Sequence, residues 1–288
     1  MNILIIGHGF VGKAVDYGFS HPDVNKVIVD PKYGNNINDI PDYTYSVCFV
    51  CVPTPMGNDG TVDSNIISDV VRSCVGKKIE MVVVKSTVTP DIIVELKKIF
   101  KHIVYNPEFL TEKSANEQFV DPQFHIFGGD KKDCKDLKKI YRDYSLCNNC
   151  PTYTMSLEEA SFVKYTINSF LAMKVTFFNQ LYDAIGDTDA NFARVIKAVG
   201  ADSRIGSSHT KVPGFDGKQG YGGACFPKDT SAFTKFSNKL TLLEECIRIN
   251  NNYRLQHELD DREIEQNVNY GQTKKELKDK DDGSTSEV

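Results

Sequence analysis

Asn2-Ile3-Leu4-Ile5-Ile6-Gly7-His8-Gly9-Phe10-Val11-Gly12 opens the chain, and its reading decides the fold. The aliphatic run reads as a buried strand, the glycines as a tight turn, and the segment to about Phe19 as a helix. As a bare string G-x-G-x-x-G is weak; between a strand and a helix it marks a dinucleotide-binding turn. Gly7 permits the sharp turn, Gly9 lets a pyrophosphate approach the backbone, and Gly12 allows close packing of helix on strand. Phe10 and Val11 complete the candidate cofactor-binding turn. A second strand, Lys26–Val29, ends at Asp30, 18 residues past Gly12. An acid there accepts hydrogen bonds from the adenosine ribose and repels a 2′-phosphate, which favours NAD over NADP. A glycine turn in some other α/β unit is the alternative, but strand, turn, helix and acid agree.

The alternation continues. Val47–Val52 reads as a strand ending in Pro53-Thr54-Pro55, Asp63–Val75 as a helix, and Met81–Val84 as a strand leading to Lys85-Ser86-Thr87. Pro90–Phe100 reads as a helix, Ile103–Tyr105 and Phe124–Phe127 as strands, and Lys131–Tyr144 as a solvated helix. Apolar strands separated by helices predict an α/β fold with a Rossmann-type, doubly wound parallel sheet. Ligands bind at the carboxyl ends of such strands. The loops at Thr54, Thr87 and Asn106–Glu112 leave from those ends.

Composition is that of an ordinary globular protein: 288 residues, 40% hydrophobic, 25% charged, net charge −5. The charge offers no attraction for nucleic acid, and no apolar run reaches membrane-spanning length. Neither a basic leader nor a cleavage site precedes the first strand, so a cytoplasmic location is expected. Eight cysteines in such a chain read as thiols. Cys48/Cys51 and Cys147/Cys150 have chelating spacing, but an odd separation on a strand sends Cys48 and Cys51 to opposite faces. The loop Cys-Asn-Asn-Cys-Pro lacks a second credible pair, and no metal is expected.

From Thr152 to Ile185 there is neither glycine nor proline. Ser156 and Glu159 form a capping box and Gly186 suits the C-cap, predicting a helix of about 28 residues. Its apolar residues widen beyond one face, which calls for a second partner, such as another subunit in a homodimer formed through residues 156–185. Lys164 and Asn168, at i and i+4, share a polar strip that reads either as a solvated face or as a site. All-α segments at Asn191–Val199 and Thr230–Asn252 complete a second domain. The expected boundaries are 1–151, 152–260, and a C-terminal extension over 261–288, expected to be disordered, most clearly after Tyr270.

Gly220-Tyr221-Gly222-Gly223-Ala224-Cys225-Phe226-Pro227-Lys228-Asp229-Thr230 holds the candidate chemistry. Pro227 can open a helix, placing Cys225 just ahead of a helix N-terminus, where the dipole favours thiolate over thiol. Lys228 and Asp229 follow one turn on. A nucleophile, a cation and a carboxylate on one short scaffold make a catalytic layout; a buried cysteine in a glycine turn is the plainer alternative.

These stretches resemble the UDP-glucose/GDP-mannose dehydrogenase family from Met1 to about Arg254. The markers are the Gly7–Gly12 turn, Val52-Pro53-Thr54-Pro55 with Asp59-Gly60, Lys85-Ser86-Thr87-Val88, and Asn106-Pro107-Glu108-Phe109-Leu110. Glu159–Asn168, Arg204-Ile205-Gly206, Val212-Pro213-Gly214 and Gly222–Asp229 follow in order. The resemblance implies NAD-dependent, four-electron oxidation of a nucleotide sugar's primary alcohol, UDP-glucose to UDP-glucuronate first, with Cys225 as nucleophile. It implies that Lys164 and Asn168 stabilise charge on the substrate oxygen, and that Glu112 and Asp229 handle protons through a water. Glu108 and Thr87 would position that network. Thr54, Thr87 and Lys228 would contact the cofactor, and Phe109, Leu110, Arg204 and Gly222 the substrate. A helical turn would bring Glu108 and Glu112 to one side, although two surface acids look the same.

Departures are visible. Thr111 and Lys113 stand where the family usually has arginine and glycine, and Thr89 and Asp91 stand near where it usually has a proline and a glycine. The residues after Asp229 are too few for a further domain of about 100 residues, so the C-terminal UDP-binding domain is expected to be lacking. The same chemistry on GDP-mannose or a UDP-amino sugar, and an inactive NAD-binding dimer that regulates a full-length relative, are the alternative readings.

Overall fold

The computed structural model describes residues 1–271. Strands and helices alternate at first: β1 (Asn2–Ile6), α1 (Phe10–Gly18), β2 (Asn25–Val29), β3 (Val47–Val50), α2 (Asn65–Cys74) and β4 (Val82–Val84). Then come α3 (Pro90–Ile99), β5 (Ile103–Tyr105), α4 (Ala115–Val120), β6 (His125–Gly129), α5 (Lys131–Tyr144) and β7 (Thr152–Met155). After them are α6 (Leu157–Gly186), α7 (Phe192–Val199), α8 (Phe226–Phe236), α9 (Thr241–Arg254) and α10 (Asp261–Glu265).

The strands form one sheet in the order β2-β1-β3-β4-β5-β6-β7. Period-two alternation builds a core on each face. Leu4, Ile6, Cys48, Val50, Val82 and Val84 enter one cluster, and Ile3, Ile5, Val47, Phe49 and Val83 the other. Cys48 belongs to the first cluster and Cys51 packs against the second, so the two thiols do face opposite sides. The order reverses between β1 and β3, the switch point at which ligands of open α/β sheets bind.

The alternation predicts a parallel sheet, and one pair departs from it: β6 runs antiparallel to β5. An antiparallel neighbour needs no crossover helix. The helix that precedes β6, α4, instead packs on α1, so closely that a Cβ on Gly18 would lie 2.0 Å from the Phe119 ring. The strand β7 also escapes the sequence reading. It is an edge strand of mixed polarity, paired parallel to β6, and shows no apolar run.

The chain divides into two units: Met1–Thr54 with Val62–Thr166, and Pro55–Thr61 with the described residues from Ile167 onward. The sheet unit thus extends past residue 151, through β7 and the first turns of α6. Two contacts within that unit explain the extension. A Cβ on Gly128 would sit 2.5 Å from the Ala160 Cβ, and the buried Ser161 hydroxyl donates to the Val88 carbonyl at 2.7 Å. The capping box is present: the Glu159 N–H donates to Ser156 Oγ and the Ser156 N–H to Glu159 Oε2.

The helical unit runs beyond residue 260. Asp260 and Glu263 form a capping box at the start of α10, and Val268 and Tyr270 are buried. Residues 261–271 are therefore ordered where disorder was expected, because they carry the apolar and capping residues that a segment needs to dock. Residues 272–288 of that expected tail lie outside the described residues. No described helix is long and apolar enough to cross a membrane.

Candidate active site

Within the sheet unit, β1 delivers Gly7 into a turn that only glycine accepts. Its φ is +86°, and a Cβ would meet the Cys51 carbonyl oxygen at 2.6 Å. Gly12, in the first turn of α1, is closed even more tightly: a Cβ would lie 1.9 Å from the Gly7 oxygen. Gly9 differs, since a Cβ there would meet nothing within 4 Å. Open space over Gly9, beside the unpaired first amides of a helix, suits a pyrophosphate. Asp30, at the end of β2, accepts from the His8 N–H at 2.6 Å and the Lys32 N–H at 2.9 Å. Burial would raise its carboxyl, but those two donors outweigh burial and hold it below the usual carboxylate range. An ionised Asp30 tied to the turn fits the ribose of NAD.

At the carboxyl ends of the middle strands, Thr54 Oγ1 donates to the Thr87 carbonyl at 2.9 Å, both residues being buried. Lys164 reaches Glu108 twice, at 2.6 Å to its carbonyl and 3.1 Å to Oε1, and lies over the Phe109 ring. Leu110 N–H donates to Glu108 Oε2 at 2.7 Å. Both members of the Lys164–Glu108 pair are buried, so the solvated-face reading of Lys164 fails. Glu112 is placed otherwise. It opens a short 3-10 turn and is exposed, while Glu108 lies in the irregular chain after β5, so no helical turn joins the two acids.

A cavity of about 250 Å³ in the same unit is lined by Lys85, Asn106, Glu108, Phe109, Phe124 and Tyr141, among others. Lys85 donates to Asn106 Oδ1 at 3.0 Å, and Tyr141 to the same atom at 2.7 Å. Burial pulls the Lys85 ammonium down to about 8, and pushes His125 beside it down to about 4. The folded Lys85 value lies below the unfolded one. Its charge therefore costs stability fully below about pH 8, and the cost disappears as the pH rises toward 10.5. The gap corresponds to about 3 kcal/mol, against about 1 kcal/mol for the hydrogen bond to Asn106. Lys85→Met is accordingly expected to resist urea better than wild type at pH 7, with the margin shrinking toward pH 10. A margin unchanged across that range contradicts the assignment.

In the helical unit, Cys225 is the N-cap of α8, with Pro227 in the helix's first turn, as the sequence predicts. The first turn of a helix favours negative charge. One turn on, Asp229 is buried and accepts from Asn168 Nδ2 at 2.6 Å and from Lys228 Nζ at 2.6 Å. The Asp229 N–H donates to the Cys225 carbonyl at 2.9 Å, fixing the carboxylate to the turn that carries the sulfur. Asn168 is buried as well. Arg204 is exposed and paired with Asp202 at 2.6 Å, away from these groups' hydrogen bonds.

Two family models match the chain: the NAD binding domain of the UDP-glucose/GDP-mannose dehydrogenase family over residues 37–145, and the central domain of the same family over residues 158–252. The chain belongs to the UDP-glucose/GDP-mannose dehydrogenase family. It is 32% identical over 222 residues to UDP-glucose 6-dehydrogenase YwqF of Bacillus subtilis, covering 72% of this chain and 48% of that protein. UDP-glucose 6-dehydrogenase of Rhizobium meliloti is 33% identical over 224 residues, covering 72% and 50%. The chain thus spans about half the length of the curated relatives it matches. Among solved structures, a UDP-glucose dehydrogenase from Pyrobaculum islandicum aligns with a TM-score of 0.73 at 27% identity, covering 86% of this chain and 67% of that one. GDP-mannose dehydrogenase of Pseudomonas aeruginosa aligns with a TM-score of 0.60 at 25% identity, covering 88% and 69%.

Membership of this dehydrogenase family establishes an NAD-binding domain. The structure joins Lys164 to Glu108, Thr54 to Thr87, and Asn168 to Asp229 and Lys228. It leaves Glu112 and Arg204 exposed and outside these networks. Sequence reasoning missed Lys85 as a buried cation, although a lysine directly after the apolar run Val82–Val84 was a usable signal. It also missed Asn179 and Asn250, whose side chains hold the loop before Cys225 and whose spacing carries no mark.

Proposed function

We propose that this member of the nucleotide-sugar dehydrogenases carries out the full four-electron oxidation of a nucleotide sugar's primary alcohol to a carboxylate, with UDP-glucose as substrate and UDP-glucuronate as product. The supporting observation is Cys225 at the N-cap of α8, with the buried carboxylate of Asp229 one turn away and held by two donors. NAD, when bound, supplies the hydride acceptor, one molecule for each of two oxidations. The balance is one alcohol, two NAD⁺ and one water giving one carboxylate, two NADH and three protons.

In this reading the C6 hydroxyl loses its proton as hydride leaves C6, giving an aldehyde. The Cys225 thiolate adds to the carbonyl carbon, and loss of the second hydride leaves a thioester. Water adds, the C–S bond breaks, and the thiolate is restored. Lys164 and Asn168 stabilise the oxygen that becomes negative, work suited to hydrogen-bond donors already held in place. An amide carries two N–H donors, and Asn168 commits one to Asp229. Asp229 orients the hydrolytic water, and Glu108, fixed by Lys164 and the Leu110 amide, moves protons. Glu112 would join it only after its exposed turn rearranges.

The test is stoichiometry. Purified protein given NAD and UDP-glucose is expected to form two NADH for each sugar consumed, with uronate as the product. One NADH per sugar would rule out the thioester route. Turnover confined to GDP-mannose or a UDP-amino sugar would keep the chemistry and replace the substrate. NAD binding with no turnover on any nucleotide sugar would sink the proposal.

A further inference from the structure

The backbone leading to Cys225 is held from behind by side chains that are almost wholly buried. Gly220 N–H donates to Asn179 Oδ1 at 3.0 Å, and Tyr221 N–H to Asn250 Oδ1 at 2.6 Å. Gly223 N–H, two residues before the cysteine, donates to Glu263 Oε1 at 3.1 Å. That same oxygen accepts from Arg254 Nη2 at 2.7 Å and from the Tyr270 hydroxyl at 2.7 Å. The other carboxylate oxygen accepts from the Asp260 N–H at 2.9 Å. Arg254 also pairs with Asp216 at 2.7 Å and lies over the Tyr270 ring. Glu263 is 0% exposed and Arg254 1%. The glycines are matched to this backing. Gly220 and Gly223 have φ of +77° and +78°, and a Cβ on Gly222 would lie 2.3 Å from Arg254 Nη2 and 2.4 Å from Glu263 Oε1.

The geometry assigns Glu263, supported by Tyr270, as a positioning residue for the cysteine loop. The assignment rests on the reading of Cys225 as nucleophile. Residues 254–270 lie beyond the 158–252 span of the central-domain match, so this chain supplies the carboxylate from a segment outside that match. A buried ion pair is often no more stabilising than a well-packed apolar pair, so this one is read as fixing a conformation. What is fixed here is the path of Gly222 and Gly223, and through Ala224 the point at which Cys225 caps α8. Loosening it lets the sulfur leave the helix terminus without unfolding the unit.

The experiment follows alkylation of Cys225 by iodoacetamide across the pH range, read by peptide mass spectrometry on folded protein without substrate. Glu263→Gln keeps size and an acceptor oxygen but removes the charge. It is expected to slow Cys225 alkylation near neutral pH by about fivefold, the worth of a charge at a helix end, and to move the profile to higher pH. In turnover, kcat should fall by about 100-fold, as for a nucleophile misplaced by an ångström, with KM for NAD unchanged. Tyr270→Phe should move both readouts the same way by less. Asp260→Ala weakens the cap of α10 without touching Oε1, and should leave the alkylation profile in place. The assignment is overturned if folded Glu263→Gln retains the wild-type profile, or if Asp260→Ala shifts it as far. Should Glu263→Gln not fold, an unchanged profile in Tyr270→Phe overturns it alone. Alkylation needs no substrate, so a wild-type protein without turnover would remove the catalytic role of Cys225, while the alkylation profiles still decide whether Glu263 places its sulfur.

Discussion

Cys225→Ser is expected to form no uronate, with steady-state NADH production reduced by roughly 10⁴-fold or more, the scale of removing a covalent nucleophile. A serine hydroxyl at the same N-cap is far less acidic than a thiol, and a helix end contributes only about 1 kcal/mol toward ionising it. Without the sulfur adduct the second hydride could leave only from the aldehyde's hydrate, which nothing in the site forms as readily as a thiolate forms its adduct. The product pool should therefore hold aldehyde, or its hydrate, or nothing. NAD affinity should be unchanged, because Cys225 is not among the residues read as holding the cofactor. Mass spectrometry of the products beside an NADH assay makes the check. Uronate formed at the wild-type rate by the serine variant would exclude Cys225 as nucleophile.

The second large effect is expected at the cofactor turn. In Gly12→Ala the new Cβ would lie 1.9 Å from the Gly7 oxygen and 2.9 Å from the Gly7 carbonyl carbon. These are backbone atoms of a residue at φ +86°, itself pressed against the Cys51 carbonyl, so neither side can give way. Helix α1 must move off β1, at a cost of about 3 kcal/mol in stability. It must also carry its N-terminal amides away from the pyrophosphate site. Calorimetry is expected to show NAD binding weakened by about 100-fold or lost, together with a lower urea midpoint. Wild-type NAD affinity in Gly12→Ala would mean that the cofactor does not use this turn. Gly9→Ala, where a Cβ meets nothing, should by contrast fold normally and lose affinity only through crowding of the ligand.

Gly7 and Gly12 show what a sequence can carry. A spacing of glycines between an aliphatic strand and a helix encodes close approach, and the structure returns that approach as 1.9 Å and 2.6 Å collisions. The N-cap of α8 was legible for the same reason, since Pro227 and the glycines before Cys225 act locally. The capping box of α6 was equally local. What stayed hidden depends on chain returning from afar. The antiparallel β6 and the edge strand β7 follow from how α4 and α6 pack, not from their own periodicity. Lys164 looked like half of a solvated pair because its partner, Glu108, is 56 residues away. Glu112 looked like a second acid on a helical turn because a spacing of four suggests one, yet the chain is irregular there. The acidic residues from 261 onward looked like a disordered tail. Glu263 is instead buried against Arg254, a pairing that no local rule foretells.

The seven residues Pro55–Thr61 belong to the helical unit although they follow β3 early in the chain. The Met56 N–H donates to the Gln266 carbonyl at 2.9 Å, and Ser231 Oγ to the Gly60 carbonyl at 2.8 Å, across 171 positions of sequence in the second case. During synthesis, the early segment emerges long before either acceptor or donor exists. The sheet unit can begin to condense as its strands appear, whereas the helical unit cannot close until residue 266 has left the ribosome. Late-closing contacts of such high sequence separation slow folding and expose intermediates to aggregation. Cutting the gene at residue 166 would thus separate the helical fragment from part of its own fold, and supplying Pro55–Thr61 to it through a permuted junction is the way to restore it.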